Sequence, residues 1–255
     1  MEKLLNIKGK VIGKGRPLVC VPVMEETRER IVEEVRRLAE LHADMIEWRV
    51  DAFAEAESMN AIRDVLYEIQ PLVKDNILVY TFRSKEQGGE MALEREQICD
   101  IHQVAAETKV ADFIDLEYFA SEKPRKEIRQ LQAMGAHIIA SHHDFDQTPE
   151  RSVMKTLLEE IRESGADIVK LAVMPQSMQD VLNLMEETNY FHEEYPDTPL
   201  ITMSMGKTGS ITRVAGEYFG SCVTFGAGKK ASAPGQFEME ELGDILQMLD
   251  KSLNG

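Results

Sequence analysis

The residue of this chain that most strongly suggests chemistry is Lys170, which lies inside an apolar run from Ile168 to Val173. The alternation of a strand puts its side chain on the same face as Ile168 and Ala172, so its methylene stem would run between hydrophobic neighbours. Burial disfavours the charged form of a lysine, and a neutral amine can attack a carbonyl carbon and form an imine. The run alone also allows a strand-end lysine that reaches water or pairs with a carboxylate.

Charged residues also follow or alternate within other β-rich runs. Glu47 and Arg49 share one face of their run, Arg83 follows the next, and Asp115 and Glu117 share a face of a third. Because several strand ends meet at one side of an α/β fold, these charges could line a binding cleft. They could equally form one internal salt-bridge network, and both interpretations stay open at this point.

The adjacent histidines His142 and His143 follow a fifth run. Neighbouring residues of a strand point to opposite faces, so we expect His143 to face inward and His142 to pack on the other side. This arrangement argues against a metal site. A lysine nucleophile and a histidine acid-base group on adjacent strands predict an enzyme that forms an imine, either a lyase or an aldolase.

Eight β-rich runs separated by helical patterns would position these residues. The runs start about every 30 residues, which is the length of a strand–helix unit. Eight such units in 255 residues predict an α/β protein with a (β/α)8 TIM-barrel fold, with a short hairpin in residues 1–16. A doubly wound sheet is the alternative, but the early glycines Gly13 and Gly15 precede the first strong strand and lack a third glycine. The predicted strands are 18–23, 45–50, 77–82, 113–118, 137–141, 168–173, 200–205 and 222–225.

Three helix boundaries can be predicted from local signals. Thr148 and Pro149 are typical of an N-cap followed by proline at the first helical position, and Gly165 is expected to end that helix. The segment 177–180 resembles a capping box, which predicts a second helix start.

The overall composition limits the class of protein. A net charge of −16 argues against nucleic acid and anionic membranes as partners, although a local cluster of Arg and Lys could still bind a small anion. No apolar run approaches the ~20 residues of a membrane span and the N-terminus lacks the apolar stretch of a signal peptide, so we expect a cytoplasmic protein. No linker interrupts the chain, which favours a single domain over residues 1–255. Cys20, Cys99 and Cys222 are widely spaced, and we expect free thiols and no zinc.

Six segments of the chain together resemble the type I 3-dehydroquinate dehydratases. They occur in the order of the family and span the predicted barrel strands, at residues 46–51, 81–84, 142–145, 166–175, 201–205 and 231–236. The resemblance implies a homodimeric barrel enzyme of the shikimate pathway of aromatic amino acid biosynthesis. Such an enzyme removes water from 3-dehydroquinate to give 3-dehydroshikimate by syn elimination and needs neither metal nor cofactor.

The same resemblance implies roles for individual residues. Lys170 would form the imine (Schiff base), and His143 would act as its general acid and base, supported by Gln87. Arg213 would bind the substrate carboxylate. The segment 226–236 would be the mobile loop over the active site. The further residues expected to bind the substrate are Glu47, Arg49, Arg83, Met203, Met205, Phe225, Ser232, Ala233 and Gln236, although both methionines could also be plain core.

Gln87 is the main departure from the family pattern. Many members carry glutamate immediately before the double glycine, where it supports the catalytic histidine, whereas this chain has Gln87 there and Glu86 one residue earlier. An amide can bond an imidazole but cannot stabilise its cation by charge. We hypothesise that Gln87 takes the role with Glu86 turned outward. At His142 several relatives have asparagine, and we expect little consequence.

Two other functions remain as alternatives. An imine-forming aldolase on the same fold would need a phosphate site near the last strands, for which residues 226–229 are a candidate. A barrel that only binds a metabolite or a partner protein is the second, although intact Lys170, His143 and Arg213 argue against it.

Overall fold

The structure is a computed structural model that describes residues 5–229 and 232–255. Eight parallel strands form one sheet in the order of the chain, except that the last strand lies at the other edge, beside the first. The sheet closes where Leu200 bridges Ser221 and the Cys222 amide donates to the Leu200 carbonyl at 2.8 Å. The predicted (β/α)8 barrel is therefore confirmed. Its strands are β3 (Leu18–Val23), β4 (Met45–Arg49), β5 (Ile77–Thr81), β6 (Phe113–Glu117), β7 (His137–Asp144), β8 (Ile168–Val173), β9 (Leu200–Ser204) and β10 (Val223–Phe225).

The longer helices pack around the outside of the barrel, because each buries one apolar stripe against the strands. In the described part of the chain they are α1 (Arg28–Glu40), α2 (Met59–Ile69), α3 (Arg95–Thr108), α4 (Pro124–Ala133), α5 (Arg151–Glu163), α6 (Met178–Glu194), α7 (Ile211–Val214), α8 (Gly216–Phe219) and α9 (Met239–Asn254). None of these helices is long and apolar enough to cross a membrane.

The predicted hairpin is present at the amino ends of the barrel strands, which we call the bottom. Its strands β1 (Leu5–Ile7) and β2 (Lys10–Ile12) pair antiparallel through a two-residue turn in which Lys8 and Gly9 have φ of 50° and 78°. Leu5 and Ile12 join the apolar interior of the barrel and so close its lower end. Residues 1–4 of the predicted hairpin region lie outside the described residues.

Three aspartates fasten the bottom of the barrel. Asp44, Asp112 and Asp167 each directly precede a strand, and each accepts a backbone N–H from the strand before it in the sheet. The donors are Val19, Leu78 and Ile138, at 3.0, 2.8 and 2.8 Å. Lys8 adds a 2.6 Å ion pair to Asp112, and Arg16 adds a 2.8 Å ion pair to Asp44.

Strand β7 is longer than predicted. Its last residues His142, His143 and Asp144 pair in register with Leu171, Ala172 and Val173 of β8. The predicted run ended at Ser141, but a parallel neighbour that continues alongside extends the ladder whatever the side chains are. His143 therefore lies within the paired part of β7 rather than in a loop.

The predicted start of α5 is wrong. The helix begins at Arg151 with Glu150 as its N-cap, not at Thr148 and Pro149. The Gln147 carbonyl accepts from Met174 at 3.1 Å, which ties the preceding chain to the end of β8 and delays the helix. The expected end at Gly165, which has φ of 84°, and the capping box of Ser177 and Asp180 are both present.

Candidate active site

A pocket opens at the carboxyl ends of the barrel strands, which we call the mouth. It contains about 450 Å³ of empty space, part of it open to solvent, and is lined by residues from several strand ends and by part of the 226–236 segment. Arg213 is the one predicted site residue that does not line it. The lining residues are Glu47, Arg49, Arg83, Gln87, Gly88, His143, Phe145, Lys170, Ala172, Met203, Met205, Phe225, Ser232, Ala233 and Gln236. Gly88, Phe145 and Ala172 were not predicted.

Lys170 is buried in the pocket floor, with 3% of its surface exposed. Its stem lies in the apolar interior, as the strand pattern predicts, but its Nζ is not in apolar surroundings. The Nζ donates to Asp115 Oδ2 at 2.9 Å, lies 3.9 Å from Glu47 Oε1 and sits 4.6 Å from the centre of the Phe225 ring. The amine attacks a carbonyl through its nitrogen lone pair, so it must carry no ammonium proton at that step.

Asp115 is the centre of a buried ionic network. Its Oδ1 accepts from Ser141 Oγ at 2.5 Å and lies 2.9 Å from Arg83 Nη2. Although burial alone would raise it, the pKa of Asp115 is held far below its usual range by Arg83 and Lys170. Burial likewise opposes the charge on Arg83, yet Asp115 and Glu117 raise the pKa of that guanidinium. Both groups are therefore charged at any working pH.

Arg49 belongs to a second, separate pair. Its Nε and Nη2 each donate to Asp51 at 2.7 Å in a two-pronged arrangement. Asp51 also accepts from the backbone N–H groups of Arg83 and Glu90, at 3.2 and 3.0 Å. The single network considered for Glu47, Arg49, Asp115 and Glu117 therefore divides in two, and Asp51 is the residue that the sequence had not assigned.

His143 and Gln87 make two contacts that fix the protonation pattern of the imidazole. The His143 backbone N–H donates to Gln87 Oε1 at 2.8 Å, so this atom is the amide oxygen. The same oxygen lies 3.2 Å from His143 Nδ1, and because it can only accept, Nδ1 carries the hydrogen. The other nitrogen, Nε2, is thereby left to accept a proton. Glu86 is exposed, as hypothesised.

The surroundings of His143 keep its imidazole neutral. Burial and the nearby cations Arg83 and Lys170 lower its pKa well below 6.5, and Asp115 opposes them only in part. His142 points to the other face of the strand, where its ring meets Phe119 edge-on at 5.2 Å. The predicted division of the two histidines is the one that the structure shows.

Arg213 is buried beside the pocket without a carboxylate. It lies on α7 with 1% of its surface exposed, and its guanidinium donates to the carbonyls of Phe225 and Pro234 at 3.3 and 3.2 Å. Its Nε has no partner among the described residues, and burial lowers the pKa of the guanidinium to about 10. A buried cation that pairs only with carbonyls retains its attraction for an anion.

The 226–236 segment covers one side of the pocket. Ser232 and Gln236 bond each other twice, at 2.8 and 3.0 Å, and the Pro234 carbonyl accepts from Gly206 at 3.1 Å. Gly235 passes so close to Gly206 that a Cβ would lie 2.2 Å from its carbonyl oxygen. Residues 230–231 of this segment lie outside the described residues.

The candidate phosphate site at 226–229 contributes no residue to the lining of the pocket. Lys229 Nζ lies 3.1 Å from Glu34 and 3.6 Å from Glu33 on α1. Lys229 is the only cationic side chain of this turn, and the two carboxylates beside it disfavour the binding of a phosphate. Across the described residues, no group of three or more His, Cys, Asp or Glu side chains could hold a metal ion, and the three cysteines are free.

Comparison with known proteins gives one consistent result. The model of the family described as type I 3-dehydroquinase matches residues 19–252. The 3-dehydroquinate dehydratase of Clostridioides difficile is 40% identical over all of both chains, and that of Salmonella typhimurium is 39% identical over 98% of this chain and all of the relative. A crystal structure of type I 3-dehydroquinate dehydratase from Clostridium difficile, with covalent modified comenic acid, superposes with a TM-score of 0.95 at 40% identity, covering 99% of this chain and all of the other. A 3-deoxy-D-arabino-heptulosonate 7-phosphate synthase from Thermotoga maritima, at 12% identity and a TM-score of 0.60, shares the fold alone.

Proposed function

The chain belongs to the type I 3-dehydroquinase family, and we propose that it dehydrates 3-dehydroquinate to 3-dehydroshikimate through an imine on Lys170. The relatives that carry this name are hydro-lyases of the shikimate pathway. One of them was solved with a covalently modified ligand, which supports covalent chemistry on this scaffold.

The observation that carries the proposal is the placement of Lys170 and His143 on adjacent strands over one pocket. Ser141 pairs with Lys170, and His143, two residues further on, pairs with Ala172. Residues two apart share a face, so the amine and the imidazole both point into the pocket. One bound molecule can thus meet a nucleophile and a neutral base together.

The reaction begins when the Lys170 amine attacks the C3 ketone. The nitrogen–carbon bond forms, the ketone oxygen leaves as water, and the protonated imine draws electrons from C2. His143 Nε2 removes the C2 proton, and the electron pair moves through C2–C3 to the nitrogen as an enamine. The pair then returns, C1 releases its hydroxyl, and the imidazolium supplies the proton that makes this hydroxyl water. Hydrolysis consumes one water and frees the enone, so the balance is one water lost from the substrate.

The charged residues at the mouth suit an anionic, hydroxylated substrate. In this proposal Arg213 binds the carboxylate, and Glu47, Arg49 and Arg83 bind ring hydroxyls. The remaining contacts come from apolar side chains and from the covering segment, namely Met203, Met205, Phe225, Ser232, Ala233 and Gln236. Closure of that segment would exclude water from the imine.

The oligomeric state, the location and the cofactor requirement of the protein are proposed from the family resemblance. We infer a homodimer of single-domain chains in the cytoplasm that works without metal or cofactor. Light scattering of the purified protein measures the oligomeric state, and activity after exhaustive chelation tests the metal requirement. The aldolase alternative receives no support from the turn at Lys229.

The proposed function is tested by incubation with 3-dehydroquinate and borohydride, followed by intact-mass measurement and peptide mapping. We expect one reduced adduct on Lys170, together with enone absorbance when borohydride is omitted. A folded protein that gives neither adduct nor absorbance would overturn both the substrate and the imine. Absorbance without an adduct would overturn the imine alone.

A further inference from the structure

Asp115 is the closest charged group to the amine that the proposed function uses. It lies on β6, is fully buried and does not itself line the mouth pocket. Its Oδ2 accepts from Lys170 Nζ at 2.9 Å. The sequence placed Asp115 at a strand end but gave it no role in the reaction.

The carboxylate is held in place by groups other than Lys170. Ser141 and Arg83 both bond Oδ1, at 2.5 and 2.9 Å, and leave Oδ2 for the lysine. Arg83 is itself fixed by Glu117 at 3.0 Å and by Ser141 Oγ at 3.1 Å. Because these anchors do not involve Lys170, Asp115 keeps its position when the amine becomes an imine.

Asp115 is unsuited to proton transfer. Arg83 and Lys170 hold its pKa far below the usual range in spite of its burial, so it has little affinity for the ammonium proton. A carboxylate that remains ionised acts on its neighbour by charge alone.

We propose that Asp115 is a catalytic residue that keeps the Lys170 imine protonated during the reaction. This inference rests on the proposed function. The ammonium and the protonated imine both carry one positive charge and at least one N–H on the same nitrogen, so the 2.9 Å contact can serve both. A neutral imine attracts the C2 electron pair far less strongly. The carboxylate thus favours the form from which His143 can remove the C2 proton.

Glu47 is the competing counter-ion, and its geometry is less suitable. Its Oε1 lies 3.9 Å from Lys170 Nζ, beyond hydrogen-bond distance, and already accepts from Thr81 Oγ1 at 2.9 Å. Asp115 is therefore expected to stabilise the imine proton more strongly than Glu47 does.

The test compares two reductants across a range from mildly acidic to mildly alkaline pH. Cyanoborohydride reduces the protonated imine, whereas borohydride reduces both the protonated and the neutral form. The amount of adduct formed with cyanoborohydride, divided by the amount formed with borohydride, therefore reports the protonated fraction of the imine. For Asp115→Asn we expect this ratio to fall on the order of tenfold at alkaline pH relative to the unmodified protein. We also expect kcat to fall on the order of 10²-fold.

An adduct ratio that is unchanged in Asp115→Asn would overturn the role of Asp115 while leaving the imine intact. If the unmodified protein gives no adduct with either reagent, the proposed function itself fails. In Glu47→Gln we expect a smaller fall, and an equal or larger fall would assign the counter-ion to Glu47. If Asp115→Asn does not fold, Asp115→Ser serves instead, because it also removes the carboxylate and should lower the ratio in the same direction; no change there would overturn the proposal.

Discussion

At the bottom of the barrel Lys8 bonds Asp112 and the carbonyls of Val73 and Asn76, at 2.6, 2.9 and 2.9 Å. At the mouth Lys170 bonds Asp115 and faces an open pocket. An ammonium has three donors, so the protein satisfies all three for Lys8 and leaves capacity on Lys170. The same residue type therefore serves stability at one end and is available for chemistry at the other.

The arginines show the same contrast. Arg16 at the bottom bonds Asp44 at 2.8 Å and stays partly exposed, whereas Arg213 at the mouth is buried with carbonyl partners alone. A fold that served only its own stability would give the buried guanidinium a carboxylate, because an unpaired buried charge is costly. Incomplete pairing of a buried charge thus marks the functional end of this barrel.

The largest effect is expected from paired substitutions of the two lysines. Lys170→Met should reduce turnover, followed as enone absorbance, to background because the nucleophile is lost. Lys8→Met should leave kcat and KM unchanged but lower the free energy of unfolding by about 1–2 kcal/mol, measured in urea. Residual turnover well above background in a folded Lys170→Met protein would contradict the assignment.

The two arginines should separate binding from stability. For Arg213→Met we expect KM to rise roughly 10–100-fold, the equivalent of charged hydrogen bonds worth about 1.5–3 kcal/mol. Stability should change little, because relief of the buried charge offsets the lost bonds. Arg16→Met is the matched control, with an unfolding free energy lower by about 1 kcal/mol and an unchanged KM. The comparison fails if both variants alter KM to the same extent.

A smaller effect is expected from Gln87→Glu, which would place a carboxylate beside His143, as Asp167 lies beside His137 at the bottom. His137 Nδ1 lies 3.5 Å from the Asp167 carboxylate, whereas His143 faces the neutral amide of Gln87. Since the pKa of His143 is lowered, its neutral base form should persist below pH 6.5, and the acid limb of kcat/KM should lie there. Gln87→Glu favours the imidazolium by charge, so this limb should move to higher pH.

The control for the Gln87 prediction is Glu86→Gln, which alters an exposed side chain and should leave the pH profile unchanged. A shift in Glu86→Gln with none in Gln87→Glu would reverse the hypothesis. The lowered pKa of His143 also affects folding: as pH falls below 6.5 the unfolded chain binds a proton that the native state resists, so stability should decrease. Urea midpoints of Gln87→Glu should show a weaker decrease over that range.

The eight barrel strands could be predicted from sequence because parallel strands buried on both faces are continuous apolar runs. Their ends were less certain. The last three residues of β7 carry polar side chains, and only their pairing with β8 makes them a strand. Likewise, the start of α5 depends on the hydrogen bond between Gln147 and Met174, which are far apart in the sequence.

Motifs were enough to select the residues of the candidate site, but they did not indicate which of these residues contact each other. Asp51 and Ser141 had no pattern of their own, and their importance comes from contacts with Arg49, Arg83 and Asp115 across neighbouring strands. The counter-ion of Lys170 was missed for the same reason, since its run is apolar along the chain while Asp115 comes from β6. Hydrophobic periodicity describes one strand at a time, whereas these contacts depend on register.

The extension of β7 determines how far the main chain of His143 lies from that of Lys170. Two residues along a strand rise roughly 6.6 Å and neighbouring strands lie roughly 4.8 Å apart, so the main chains of Lys170 and His143 are separated by a diagonal of roughly 8 Å. Pairing of the two strands in the sheet, rather than a loop, fixes this distance between the main chains. Changes of length or sequence in the surrounding loops can therefore alter the shape of the pocket without altering the spacing of Lys170 and His143.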